Sequence, residues 1–302
     1  MCLWIWWGRV WRRWKVATNI QSPISNTRIP KNTGWRLFLQ TVIARAYPRV
    51  IGQQREKSWV FFDLFLPIMG VAAYVFVYRA IKAPEDYVGF VVVGGAMTAF
   101  WLNVLWSMSS QLYWEKETGN LGLYIMAPNS LMAILLGMAL GGMLATMLRA
   151  TIILVLGTWM FDVQFAVSSF LQLFAVFTLT MTALYGMGMM FASVYLLLSR
   201  EAWHWSNLAQ EPVYLASGFY FPIKSFNFWI AAGASIIPLT MGLDAMRQLV
   251  FKSGPSLGFV SVQLEIGVLV VLCVIFLIAA RYLLRYMEKL AIREGRITES
   301  RR

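Results

Sequence analysis

The chain has 302 residues, of which 59% are hydrophobic and only 13% charged, against the ~25% charged residues of an ordinary soluble domain. That composition excludes a soluble surface of normal polarity and requires a membrane protein. The net charge of +12 does not indicate nucleic acid, because the basic residues crowd at the two ends of the chain instead of covering one soluble face.

In chain order, residues 1–34 form a basic, Trp-rich segment and linker. In MCLWIWWGRVWRRWK, Trp4, Trp7, Trp11 and Trp14 share one helical face and Arg9, Arg12 and Arg13 the other. This is either an amphipathic helix lying in the headgroup layer or a frayed start. Arginines interrupt its apolar stretch, which argues against a secretory signal. Residues 35–57 alternate apolar and basic positions at helical spacing and predict a second interfacial helix leading into the membrane. Apolar spans follow at 60–80, 88–113, 131–160, 169–198, 207–222 and 258–280, each judged against the ~20 residues needed to cross. The fifth is short, carries Glu211, Pro212 and Gly218, and runs into an apolar stretch broken by Pro222 and Pro238. Irregular backbone at membrane depth must be buried in protein or line a cavity, so this stretch predicts short helices that dip back into the membrane. The expected fold is therefore all-α and integral to the membrane, with six transmembrane helices, an N-terminal amphipathic interfacial helix, re-entrant helices between spans five and six, and a basic tail over 286–302.

With six spans both termini share a side, and that side then carries twenty Lys and Arg against five on the other. The positive-inside bias places both termini, and the loop at 113–130, in the cytoplasm.

Few residues offer chemistry. His204 is the single histidine, Cys2 and Cys273 have no metal-ligand spacing, and no Gly-Lys dipeptide exists, so a P-loop on this chain is ruled out. ATP, if used, is bound elsewhere. Ionisable residues inside spans are the default candidates. Asp63, near the start of the first span, is either solvated or a helix cap. Arg149 and Glu265 are placed in the outer half of their spans, where they either pair with each other, reach the headgroups, or contact substrate. Glu211 and Pro212 mark a kink or line a cavity. Small residues at interval four, Gly95 with Ala99 and Gly137 with Gly141 and Ala145, predict close helix packing.

The remaining feature is YWEKETGNLGLYIMAPNS, residues 113–130, a charged hairpin in a chain that avoids charge. It is either a plain connection or a docking element. Leu121, Leu123, Tyr124, Ile125 and Met126 are apolar in a segment assigned to water, and such a cluster gains most if a partner buries it. Glu115 and Glu117 would then meet basic groups on that partner.

The hairpin resembles the first cytoplasmic loop of the permeases of type-2 ABC exporters, in Glu115, Lys116, Glu117, Gly119, Asn120, Leu121, Tyr124, Ala127 and Pro128. The stretch SREAWHWSNLAQEPVYLASGFYFPI resembles that family's fourth-to-fifth-span region, and residues 237–251 its outer helical segment. The resemblance covers roughly residues 35–285. It implies a coupling element (Glu115, Lys116, Glu117, Gly119, Leu121, Tyr124, Pro128, with Arg200 and Glu201 in the next loop) docked on a separate ABC ATP-binding subunit. It further implies a second permease copy, a path or gate near Glu211, Pro212, Phe219 and Phe221, and no cofactor on this chain, ATP and Mg being held by the partner. An amphipathic or lipid-linked cargo would leave through the cell membrane. A secondary carrier or channel, or a membrane enzyme acting on lipids, is the alternative.

Overall fold

The structure is a computed structural model that describes residues 34–55, 57–126, 130–198 and 202–294. The expected helix at the extreme N-terminus, Pro128, Arg200 and Glu201 lie outside the described residues. The chain divides into two units, residues 1–37 and 38–302, and the second holds all the long apolar helices.

Among the described residues every regular element is helical. α1 is Trp35–Arg55, α2 Lys57–Ala80, α3 Asp86–Leu102, α4 Gln111–Glu117, α5 Asn120–Met126, α6 Leu131–Phe161, α7 Phe170–Leu198 and α8 Ala202–Ala216. After them come α9 Phe228–Ala234, α10 Pro238–Val250, α11 Gly254–Leu257 and α12 Val262–Glu294. Leu, Met, Ala and Phe fill the long helices with few charges, and in hydrocarbon a helix satisfies every backbone group within its own segment.

Five helical stretches are long and apolar enough to cross a bilayer, Val60–Ala80, Asp86–Glu117, Leu131–Phe161, Phe170–Tyr195 and Val262–Met287. α9 and α10, bent by 109° at their junction, make a sixth crossing if taken as one, and otherwise a re-entrant pair. The expected fifth span at 207–222 is corrected: α8 has 15 residues and stops at Ala216, a length of about 22 Å that falls short of a ~30 Å core. The last helix also continues through Glu294, so the basic tail expected at 286–302 begins as helix.

The second span is the axis of the bundle, with 94% of its apolar window buried, whereas the first and last keep only 22% and 28% of theirs inside the chain. α12 packs along α7, and α6 and α2 flank α3. Near its hairpin end the second span widens into a π-type turn, Asn103–Met108, in which the Ser109 amide donates to the Val104 carbonyl at 2.9 Å. Such turns shift the register of a helix and aim side chains that a regular helix would not.

α1 is not a free interfacial helix. It runs beside the first half of α6 in parallel register. A Cβ built on Gly137 would stand 2.5 Å from the Val42 carbonyl oxygen, and one on Gly141 2.6 Å from that of Ala46. Only glycine admits a backbone this close, so the small-residue spacing does mark helix packing, with α1 as the partner.

Candidate functional site in the hairpin and the bent helices

The hairpin at 111–126 is two short helices joined by a tight reversal. The Thr118 amide donates to the Trp114 carbonyl at 2.9 Å and the Gly119 amide to that of Lys116 at 3.0 Å. Gly119 has φ +77°, a conformation that side-chain-bearing residues adopt at a cost. Glu115 is the organising residue. Its carboxylate accepts from Gln111 Nε2 at 3.0 Å, Asn120 Nδ2 at 3.1 Å and the Tyr124 hydroxyl at 3.0 Å, and Arg45 of α1 lies 3.9 Å away. The Arg45 guanidinium also stands 4.2 Å over the Tyr124 ring.

Two expectations are thereby corrected. Glu115 faces the chain's own α1 instead of a partner, because four internal groups converge on it. Leu121 is buried at 2% exposure and belongs to the core. What the hairpin turns outward is Trp114 and Leu123, 52% and 61% exposed, together with Glu117, Thr118 and Gly119; Lys116 is half-buried.

The hairpin is tied to the bundle through the π-type turn. Arg49 donates to both oxygens of Ser107, Gln53 Nε2 donates to Ser107 Oγ at 3.1 Å, and the Tyr185 hydroxyl of α7 donates to Asn103 Oδ1 at 3.0 Å. Trp106 Nε1 donates to Gln210 Oε1 of α8 at 2.7 Å. Burial holds the Arg49 guanidinium below the usual arginine range, against the pull of the Glu115 carboxylate. Except for Arg49, as one of many basic residues, none of these stands out in the sequence; a Gln, Asn and Ser cluster inside apolar helices is the signal that it does carry.

Of the alternatives for Arg149 and Glu265, pairing with each other does not occur. Arg149 forms an ion pair with Asp63 of α2 and donates to the Gln53 carbonyl at 3.1 Å. Asp63 is therefore neither merely solvated nor a cap. Arg149 is also deeper toward the hairpin end than expected, level with Asp63 near the start of α2. Twelve residues, about 18 Å, separate it from Phe161, whose carbonyl receives Arg79 from the far end of α2. Glu265 is fully buried and bonds instead with Gln248 Nε2, 3.2 Å from each carboxylate oxygen. Gln248 also reaches Asp244 at 3.3 Å, and Asp244 in turn receives the Phe259 amide at 2.7 Å.

At the opposite end of the bundle, the break after α8 is held by one side chain. Arg247 of α10, 1% exposed, donates through Nη1 to the carbonyls of Gly218 at 2.5 Å and Phe221 at 3.4 Å, and through Nη2 to those of Phe219 at 2.7 Å and Phe90 at 2.9 Å. A non-helical stretch at depth leaves carbonyls without partners, and a guanidinium with five donors supplies them. Gly94 lets this stretch reach α3, since a Cβ there would stand 1.7 Å from the Phe219 carbonyl oxygen. From α2, Tyr74 stacks on Tyr220 at 4.0 Å and the Tyr78 hydroxyl donates to the Tyr220 carbonyl at 2.8 Å. Of the expected gate residues, Phe219 is fully buried in this clamp, Phe221 is half-buried, and Glu211 and Pro212 are exposed on α8.

The family model for ABC-2 type transporters matches residues 22–251. The chain belongs to the ABC-2 type transporter family. Among curated proteins, this ABC-2 permease is 26% identical over 171 residues to the "Probable multidrug ABC transporter permease YbhR" of Escherichia coli strain K12, and equally to its counterpart in Escherichia coli O157:H7. The aligned region is 55% of this chain and 45% of the relative, so the chain spans about half the length of the relatives it matches. In this multi-pass member of the ABC-2 type transporter family, the hairpin and the Arg247 clamp occupy opposite ends of the bundle.

Proposed function

We propose that this permease moves an amphipathic or lipid-linked molecule outward across the cell membrane, powered by a separate ATP-binding subunit that docks on the 111–126 hairpin. The observation that carries the reading is the division of that hairpin into two faces. Glu115, Leu121 and Tyr124 are spent on holding it to the bundle, while Trp114, Glu117 and Leu123 are left outward around a glycine turn. A connecting loop has no need of an exposed Trp and Leu held rigid, whereas a docking element does. ATP and Mg sit on the partner, and both termini lie in the cytoplasm with the hairpin. The relative's printed name, a multidrug permease, supports a drug-like amphipathic cargo.

The route runs between two permease copies. Leu208, Glu211 and Leu215 fall on one face of α8 and all are exposed. A carboxylate on a lipid-facing stripe is costly, and one facing a wet seam between two copies is not. ATP-driven closure of the partner then biases the permease between two states by binding them unequally.

The test is co-expression with the ATP-binding subunit and reconstitution. Glu117→Ala and Gly119→Ala should leave membrane insertion and assembly intact and lower stimulated ATP hydrolysis and transport together. Full activity of both in an assembled complex overturns the docking role. Transport by the purified chain alone, driven by an ion gradient, would establish a secondary carrier instead.

A further inference from the structure

Around α1, where it meets α6, the π-type turn, the hairpin and the start of α2, lie three guanidiniums and two carboxylates. Arg45 lies 3.9 Å from Glu115, and Arg149 pairs with Asp63, so each of these cations has its anion. Arg49 is the third cation, and its hydrogen-bond partners among the described residues, Ser107 Oγ and the Ser107 carbonyl, are neutral. Its Nε is buried with no hydrogen-bond partner among the described residues, and the same holds for Arg45 Nη2 and Gln53 Oε1. Arg45, Arg49 and Gln53 are spaced by four, so they form one stripe on α1, and the Cβ atoms of both arginines abut α6 at Gly137 and Gly141. Glu115 thus serves both Arg45 and Arg49, and a partly buried excess of positive charge is unfavourable in any protein.

We propose that the Arg45–Arg49–Gln53 stripe is a binding site for a phosphate group. A guanidinium fork matches the oxygens of a phosphate, and the Arg49 Nε hydrogen, without a hydrogen-bond partner among the described residues, supplies a further donor. Gln53 fits once its amide is turned over. Ser107 Oγ then donates to its oxygen and the amide NH2 faces the site, an exchange of O and N that coordinates alone do not distinguish. Arg49 lies about three turns, roughly 16 Å, ahead of Val60, where the apolar window of the first span begins, and so on the hairpin side of the hydrocarbon. Arg45 keeps 28% of its side chain accessible, which leaves a way in. The phosphate comes either from a phospholipid headgroup or from solution. The site stands whether or not the chain couples to an ATPase.

The experiment uses the full chain in dodecyl maltoside, which contains no phosphate, and follows thermal unfolding. The probes are inorganic phosphate, short-chain phosphatidylglycerol and, as a lipid without phosphate, monoolein, all at fixed ionic strength. Stabilisation by phosphatidylglycerol but not monoolein assigns a lipid headgroup, and stabilisation by inorganic phosphate a soluble anion. In either case Arg49→Gln should weaken the response about tenfold, and the exposed Arg281→Gln should keep it. If Arg49→Gln does not fold, Arg49→Lys, which keeps the charge but loses the fork, should still show a weakened response. No stabilisation of the wild type by either phosphate probe, or an equal response in the Arg49 variants, overturns the site.

Discussion

Arg247 shows what a single residue can do where the backbone leaves helical geometry. Four carbonyls from two segments converge on it, and it has no alternative but to satisfy them, since neither water nor hydrocarbon at that depth offers donors in fixed positions. Arg247→Ala should therefore cost about 3 kcal/mol or more of stability through the orphaned acceptors, read as a lowered unfolding temperature in detergent. Arg247→Lys should recover little, because a point ammonium cannot reach both sides of the break as a fork does. At the hairpin, Glu115→Ala should lower the thermal stability of the chain by releasing Arg45, Tyr124 and Asn120. Glu117→Ala should leave that stability unchanged, since the exposed Glu117 takes no part in the contacts that converge on Glu115. Equal melting of the two variants would refute the two-faced description of this loop. The sequence marked Arg149, Asp63 and Glu265 as candidates on cost alone, but not whom they meet. Asp63 and Arg149 are 86 positions apart, and their meeting depends on how α6 is set lengthwise against α2, which hydropathy does not report.

At the scale of elements, the long spans were legible because twenty apolar residues have no other fate in this composition. α1 and α8 were not. α1 carries basic residues every turn, which reads as a helix bathing in headgroups. Its arginines instead point their stems along α6 and spend their charge on Glu115 and Ser107. The clue was on the other helix, in the interval-four glycines, which announced a close neighbour without naming it. Gly141→Val tests that contact, because its side chain would meet the Ala46 carbonyl at a separation where the nearest backbone atom stands 2.6 Å from Cβ. Pushing α1 away should cost about 1–3 kcal/mol, with a matching fall in unfolding temperature, whereas Gly52→Val, with nothing within 4 Å of its Cβ, should be near neutral. α8 misled in the other direction. Hydropathy continues through Ser217 to Pro222, but Gly218 at φ +68° and the pull of Arg247 end the helix, a tertiary cause that a window average cannot contain.

For the whole molecule, the uneven burial of the spans argues about assembly. An axis helix enclosed by its neighbours and two peripheral helices largely bare is a bundle that meets lipid or another copy over much of its circumference. Exposed apolar residues do not separate those two, since lipid tails and a partner helix are equally apolar. Glu211 does separate them, because its carboxylate needs water or a partner where lipid offers neither. A seam along α8 predicts that Leu215→Cys, 62% exposed in the single chain, forms a disulfide-linked dimer when membranes are oxidised. Phe174→Cys on α7, 68% exposed and no less apolar, should stay monomeric, since lipid covers it. Cross-linking at position 174 without cross-linking at 215 would move the seam to another face and take Glu211 out of the transport path. Cross-linking at 215 that responds to ATP on the partner would join the hairpin and α8, already linked through Trp106 and Gln210, in one motion.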